Sequence, residues 1–320
     1  MPSEMPAPLL LTRSEIRSVI EWPVLFDAVR EALLLREAGK VAAPVNGQVT
    51  MPNGLLHLKA GAIHEPGIIS IKANLRPHGG GASGLVVLFD TDKSEVMAIL
   101  DSADITAMRT AALAAVAAET LTLPGEMALA VLGAGPVGRQ VLAALQQRMP
   151  VREVHLWSRD RKRAEDLARE TALPVTIHDT PGAAARCAKL VVTATPSRTP
   201  FLEADDLKNG TLVLAMGADS PNKRELAASV TAAAAIIADQ REDVLNVGES
   251  AYLKLEQTHS IVELGALLAG SAPIPVIDGG RAKFVVFDSV GSAIVDATVS
   301  RSIVAIARTH GLGRSFEFSR

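Results

Sequence analysis

The sequence predicts an α/β protein in which a β-rich antiparallel unit precedes a doubly wound parallel sheet. Three observations carry this. Strand and helix patterns alternate from Met127 to Asp288, as in βα units. Short apolar runs separated by Gly, Pro and Asp fill Ala43 to Ile99, as in hairpins. Met127–Trp157 reads strand, glycine loop, helix, strand, and the loop is Gly133-Ala-Gly135-Pro-Val-Gly138.

Composition narrows the class. At 320 residues the chain is long enough for two domains, and 48% hydrophobic residues allow a large core. A net charge of -3 and 3% aromatics argue against nucleic-acid binding. Cys187 is the single cysteine, so no internal disulfide and no multi-cysteine metal site is expected. It is read as a small buried side chain in a helix that precedes a strand. No metal centre is expected. No secretory signal and no membrane-length apolar run is visible, so a cytoplasmic location is the expectation.

The elements follow in order. Met1–Pro8 reads as a loose end, Ser14 as the cap of a first helix, and Trp22–Ala38 as a second. Strands are expected at Val45–Met51, Leu55–Ala60, Ile68–Ala73, Gly84–Phe89 and Val96–Leu100. Lys59 and Lys72 lie on two of them, among apolar neighbours, and either face water or bind a ligand. Asp101–Leu123 is an alanine-rich helix in which Arg109 is followed by small residues. It reads as an arginine in a crevice or on a surface. Pro124-Gly125 ends that helix. Beyond the glycine loop, strands are expected at Val154–Trp157, Val175–Ile177, Leu190–Ala194, Leu212–Ala215, Ala234–Ala238 and Phe284–Asp288. Helices are expected at Lys162–Leu173 and Pro181–Ala188, with interrupted helix over Asp239–Gly270. A final long helix runs from about Gly291 to Thr309 and, too apolar on one side to stay free, returns to the first domain. In an open parallel sheet ligands sit beyond the carboxyl ends of strands. Gly133–Gly138, Thr195 and Asp219 lie at such ends, although Asp219 also reads as a turn former or as a cap for a segment beginning near Lys223.

The glycine loop indicates a dinucleotide. Gly133 allows the turn, Gly135 lets backbone approach a pyrophosphate, and Gly138 lets the helix pack closely. Helix N–H groups face the anion. Where an NAD site usually has Asp or Glu, this chain has Ser158-Arg159, with Arg161 and Lys162 nearby. No carboxylate stands there to repel a 2′-phosphate, and a guanidinium can pair with one, so NADP(H) is preferred over NAD(H). The alternative is that these charges only solvate the next helix.

Several segments together resemble the ornithine cyclodeaminase/mu-crystallin family: Met51-Pro52, SIKANLRP around Lys72, LDSADITAMRTAA around Arg109, VLGAGPVG, VTATPS, MGADSPNKREL around Asp219, and FDSVG at Asp288–Gly291. The resemblance spans nearly the whole chain. It implies a Rossmann domain, residues 121–292, inserted into a β-rich α+β substrate and dimerisation domain, residues 1–120 with 293–320. It implies a homodimer. By motif position Lys72 binds the substrate carboxylate, and Arg109 lies between that carboxylate and the cofactor phosphate, followed by Thr110 on the cofactor side. Asp219 is the acid/base group. Ser83, Pro136, Val137, Thr195, Met216, Lys223 and Ser289 line the cofactor, and Val290 the substrate. The chain departs from the family in one place. Many members have an arginine before the Met-Pro pair, whereas this chain has Val45 and Asn46, and Lys59 supplies a positive charge instead. The implied chemistry is hydride transfer at the α-carbon of an amino or imino acid. With an NADP-type site, reduction of Δ1-pyrroline-2-carboxylate or Δ1-piperideine-2-carboxylate to L-proline or L-pipecolate is favoured. Ornithine cyclodeamination with bound NAD, alanine dehydrogenase-like oxidation, and NADP binding without catalysis follow in that order.

Overall fold

The computed structural model describes residues 7–77, 81, 83–121, 125–254, 260–275 and 282–317. They fall into two units, Met1–Arg109 with Ser292–Arg320, and Thr110–Gly291. The chain begins with β1 (Leu9–Leu11), α1 (Arg13–Val19) and α2 (Trp22–Glu37). Then come β2 (Val45–Met51), β3 (Gly54–Ile63), β4 (Ile68–Pro77), β5 (Ser83–Asp90), β6 (Glu95–Asp101) and α3 (Ala103–Leu121). The second unit continues with β7 (Met127–Leu132), α4 (Pro136–Arg148), β8 (Val151–Trp157), α5 (Arg161–Glu170), β9 (Val175–Ile177) and α6 (Pro181–Ala185). It goes on through β10 (Leu190–Thr193), β11 (Thr211–Ala215), α7 (Ala228–Ala232), β12 (Ala234–Ala238) and α8 (Arg241–Val247). It closes with β13 (Val262–Glu263), α9 (Leu264–Ala269) and β14 (Phe284–Asp288). The chain then returns to the first unit as α10 (Ala293–Thr309) and β15 (Arg314–Ser315).

In the first unit the strands form a sheet in the order β15-β1-β6-β5-β4-β3-β2, with β2 to β6 antiparallel. Strand side chains alternate between faces. On β4, Ile68, Ser70, Lys72 and Asn74 are buried, while Ile71 and Leu75 are exposed. The buried face is covered by α10, which contacts β3, β4 and β5. Ser292 caps α10 by accepting from the Ile294 N–H. Gly61 makes the approach possible, since a Cβ there would lie 2.9 Å from the Ala293 Cβ. The Ser70 hydroxyl donates to the Ala293 carbonyl at 3.1 Å and fixes the helix start on the sheet.

The second unit is a parallel sheet in the order β13-β12-β14-β11-β10-β7-β8-β9. The strand order reverses at β7 and β10, the place where doubly wound sheets open a ligand crevice. Its central strands are buried end to end, as expected where helices cover both faces.

Some local expectations are corrected. Thr12, not Ser14, caps α1: the Thr12 side chain accepts from the Glu15 N–H while the Glu15 carboxylate accepts from the Thr12 N–H. The reciprocal pair outcompetes a serine inside the first turn. Asp101 ends β6 and accepts from the Ala103 N–H instead of lying in the helix. Strands β1 and β15 pair with each other but are too short to show periodicity. The stretch read as interrupted helix over Asp239–Gly270 contains β13, added parallel to β12. Cys187 is only half-buried and lies past the end of α6. The loose end read for Met1–Pro8 lies outside the described residues through residue 6, as do residues 122–124 beside Gly125 and 255–259 in the interrupted stretch.

Candidate active site and cofactor cleft

In the first unit two cations meet one carboxylate. Lys72, on the buried face of β4, places Nζ 2.6 Å from Asp296 Oδ2. Arg109, two turns into α3, places Nε 3.0 Å from Asp296 Oδ1. Exposure of these side chains is 5%, 5% and 1% for Lys72, Arg109 and Asp296. The start of α3 is tied to β4 because Ser102 donates to the Asn74 carbonyl oxygen and the Asn74 amide donates to Thr106 at 3.2 Å. Asp296 lies one turn into α10, on the side that meets the sheet. Arg109 is thus not a surface arginine, and Lys72 does not face water.

The charges do not cancel. Lys59 is directly opposite Lys72 across β3 and β4, on the same face and half-buried. Burial, with Arg109 adding repulsion, pulls the Lys72 ammonium down to about 7, and Asp296 only partly offsets this. Burial also works against the Asp296 charge, but Lys72 and Arg109 outweigh it and hold its pKa below the ordinary value. Arg109 Nη1 is buried and meets no hydrogen-bond acceptor among the described residues. A buried guanidinium nitrogen without an acceptor, inside a cluster of net positive charge, suits a planar anion such as a carboxylate.

Asp296 was not anticipated. Its signal was a lone acid among Ile294, Val295, Ala297 and Val299 on a helix start otherwise made for burial. A buried acid has to find a cation, and the nearby candidates were already known.

In the second unit a cleft of about 320 Å³ opens at the carboxyl ends of β7, β8 and β10. Gly133, Gly135, Trp157, Ser158, Arg159 and Thr195 line it. Gly133 has φ +123, and a Cβ there would lie 2.5 Å from the Ala194 carbonyl. Gly135 is open, with nothing within 4 Å of a would-be Cβ, and it caps α4 with Pro136 and Val137 in the first turn. A Cβ on Gly138 would collide with the Gly133 carbonyl oxygen. Each glycine therefore meets the demand of a dinucleotide site, at a helix N-terminus with no side-chain cap hydrogen bond. The expectation that no carboxylate stands near Ser158-Arg159 needs correction, since Asp160 also lines this cleft. That carboxylate accepts from the Lys162 N–H as the cap of α5 and pairs with Arg163 at 3.2 Å.

Other residues are placed as follows. Asp219 follows β11 and pairs with Lys223, Nζ to Oδ1 2.5 Å. No helix begins near Lys223; the next one starts at Ala228, so the capping alternative for Asp219 falls. Lys223 turns toward Asp219 and, like Pro136, Val137, Met216 and Ser289, does not line the 320 Å³ cleft. Met216 is buried at the end of β11, and Thr110 is buried in α3. The Ser289 hydroxyl donates to Asp239 at 2.7 Å, and Val290 beside it is buried. Ser83 is exposed at the start of β5.

A set of buried carboxylates, also not anticipated, holds the strand-end loops of this unit. Glu225 accepts from the Thr195 N–H and hydroxyl and from the Gly217 N–H, joining the loops after β10 and β11. Glu249 accepts from the Glu225 and Leu226 N–H groups. Asp288 accepts from Glu249 and Ser250, and Asp239 from Ser289 and Gly291. Burial, with Asp288 repulsion, lifts Glu249 to about 8, and burial lifts Asp288 to about 7.

The sequence pattern of the ornithine cyclodeaminase/mu-crystallin family matches residues 8–310. The chain belongs to this family. Within it, the ketimine reductase mu-crystallin of Mus musculus is 31% identical over 218 residues, covering 68% of this chain and 67% of that protein. An archaeal alanine dehydrogenase dimer with bound NAD has TM-score 0.90 at 25% identity, covering 98% of this chain and 100% of that one. The iminosuccinate reductase of Paracoccus denitrificans in complex with NAD+ has TM-score 0.87 at 25% identity with the same coverage. No helix among the described residues is long and apolar enough to cross a membrane.

Proposed function

We propose that this chain is an NAD(P)H-dependent reductase of a cyclic imino acid, Δ1-pyrroline-2-carboxylate or Δ1-piperideine-2-carboxylate, yielding L-proline or L-pipecolate. The observation that carries the reading is the buried Lys72–Arg109–Asp296 cluster, with its excess positive charge and unmatched guanidinium nitrogen. Lys72 and Arg109 grip the substrate carboxylate, with Lys59 adding positive charge, and Asp296 holds both cations in place. Fixing the carboxylate fixes the adjacent imine carbon, and such positioning supplies much of an enzymatic rate. A bound dihydronicotinamide supplies the hydride that adds to this carbon. Gly133–Gly138 and Thr195 hold its pyrophosphate region, and Ser158 with Arg159 its ribose. Thr110, Ser83, Met216, Lys223 and Ser289 are assigned to the cofactor and Val290 to the substrate. Asp219 stabilises the iminium and serves the ring nitrogen as acid/base group. Arg159 favours NADPH. Asp160 is committed to α5 and Arg163, so it leaves that preference standing while NADH remains usable. The names of the mouse and Paracoccus relatives, both imine reductases, support the direction of reaction.

The test is a steady-state comparison of both ketimines with NADH and NADPH, with iminosuccinate, pyruvate plus ammonia, and ornithine as controls. NADPH oxidation on a ketimine with a higher kcat/KM than with NADH is expected. Ammonia release from ornithine without added cofactor, and no nicotinamide oxidation on either ketimine, contradicts the proposal in favour of cyclodeamination.

A further inference from the structure

The sequence alone gave no reason to expect a metal, yet three donor side chains far apart in sequence converge in the second unit. His155 lies on β8, two residues before Trp157 and therefore on the same face of the strand. His178 follows β9, and Cys187 follows α6. His155 Nδ1 and His178 Nε2 are 3.0 Å apart, with the rings tilted by 52° instead of stacked. The Cys187 sulfur completes a set of donor atoms that all lie within 4.8 Å of one another.

We propose that His155, His178 and Cys187 bind a borderline-soft divalent cation, Zn2+, through two imidazole nitrogens and a thiolate. The donor set fits that chemistry, since imidazole and thiolate are the preferred ligands of zinc. Zinc bond lengths put tetrahedral N and S ligands roughly 3.4–3.6 Å apart, so the histidine pair opens slightly and the sulfur moves inward by about 1 Å. The Cys187 thiol now donates to the Ala183 carbonyl at 3.3 Å, a bond that metal binding would replace. Metal ligands must be unprotonated. Three protein ligands at a partly buried position leave the fourth place to water, unlike a closed four-ligand structural site. The ion would tie β8, β9 and the end of α6 together, two residues from the Trp157 wall of the cofactor cleft.

The experiment uses untagged, chelator-treated full-length protein titrated with Co2+. Because Cys187 is the only cysteine, any thiolate-to-cobalt charge-transfer absorption reports this residue alone. Saturation near one equivalent and displacement by Zn2+ are expected. Zn2+ should also slow alkylation of Cys187 by iodoacetamide by about tenfold, because the metal-bound sulfur is no longer free to attack. His178→Ala should lose both effects. A Co2+ titration without the charge-transfer band, or an alkylation rate that Zn2+ leaves unchanged, overturns the proposal. Retention of both effects in His178→Ala overturns the three-residue assignment.

Discussion

Lys72 titrates near 7 because it is buried beside Arg109, and this has a kinetic consequence. Only the ammonium form attracts a carboxylate. Above pH 7 the free protein loses that charge, so KM for the imino acid should rise by about tenfold per pH unit while the cofactor KM changes less. Asp296 counters the depression of Lys72. In Asp296→Asn the rise should therefore begin at lower pH, with kcat/KM at pH 7 down by about 10²–10³ because a buried pair is broken. A pH profile unchanged by the substitution would mean that Asp296 only fills space. Legibility differs among these three residues. Lys72 and Arg109 were legible through the family motifs, but Asp296 was not, because its role depends on α10 folding back over β4, a contact between residues more than two hundred positions apart.

The elements show why the alternating pattern was readable and its ends were not. Continuous apolar runs located the central strands of the parallel sheet, since these are buried over nearly their whole length. Strand-end loops are held instead by Glu225, Glu249, Asp239 and Asp288, and a buried carboxylate has no periodic signature. These acids have their own pH signature. Glu249 is lifted from 4.5 to about 8, so the folded state holds its proton more tightly than the unfolded state. Its contribution to stability is present below about pH 4.5 and is lost as pH rises through about 8. Melting temperature followed from pH 5 to 9 should fall more steeply in the parent than in Glu249→Gln, whose amide exchanges no proton. At pH 5 the variant should be about 1–2 kcal/mol less stable, because one of two backbone N–H groups loses its acceptor, and the gap should narrow as pH rises. Parallel curves would contradict the assignment.

At the scale of the whole molecule, the first unit presents a sheet face with exposed apolar side chains among the described residues. Val45, Val49 and Met51 on β2, Ile71 and Leu75 on β4, and Leu85 on β5 are all exposed. Pairing puts them on one side: Ile71 faces Ala60, which faces Val45. A broad apolar sheet face on a globular chain marks an association surface, and a second copy of the chain is the proposed occupant. Light scattering should give twice the chain mass for the parent and half of that for Ile71→Glu, with the cofactor cleft still functional; a monomeric parent, or a mass unchanged by the substitution, would contradict the proposal. The proposed activity requires the buried cationic cluster to be the substrate-carboxylate site. The most direct measurement compares kcat/KM for Δ1-pyrroline-2-carboxylate with that for Δ1-pyrroline, the same ring without its carboxylate, using the same protein and NADPH. A loss of about 10³-fold or more for the carboxylate-free imine is expected, because two charge-assisted contacts disappear and the cations stay buried without their anion. Equal kcat/KM for the two imines would contradict the account.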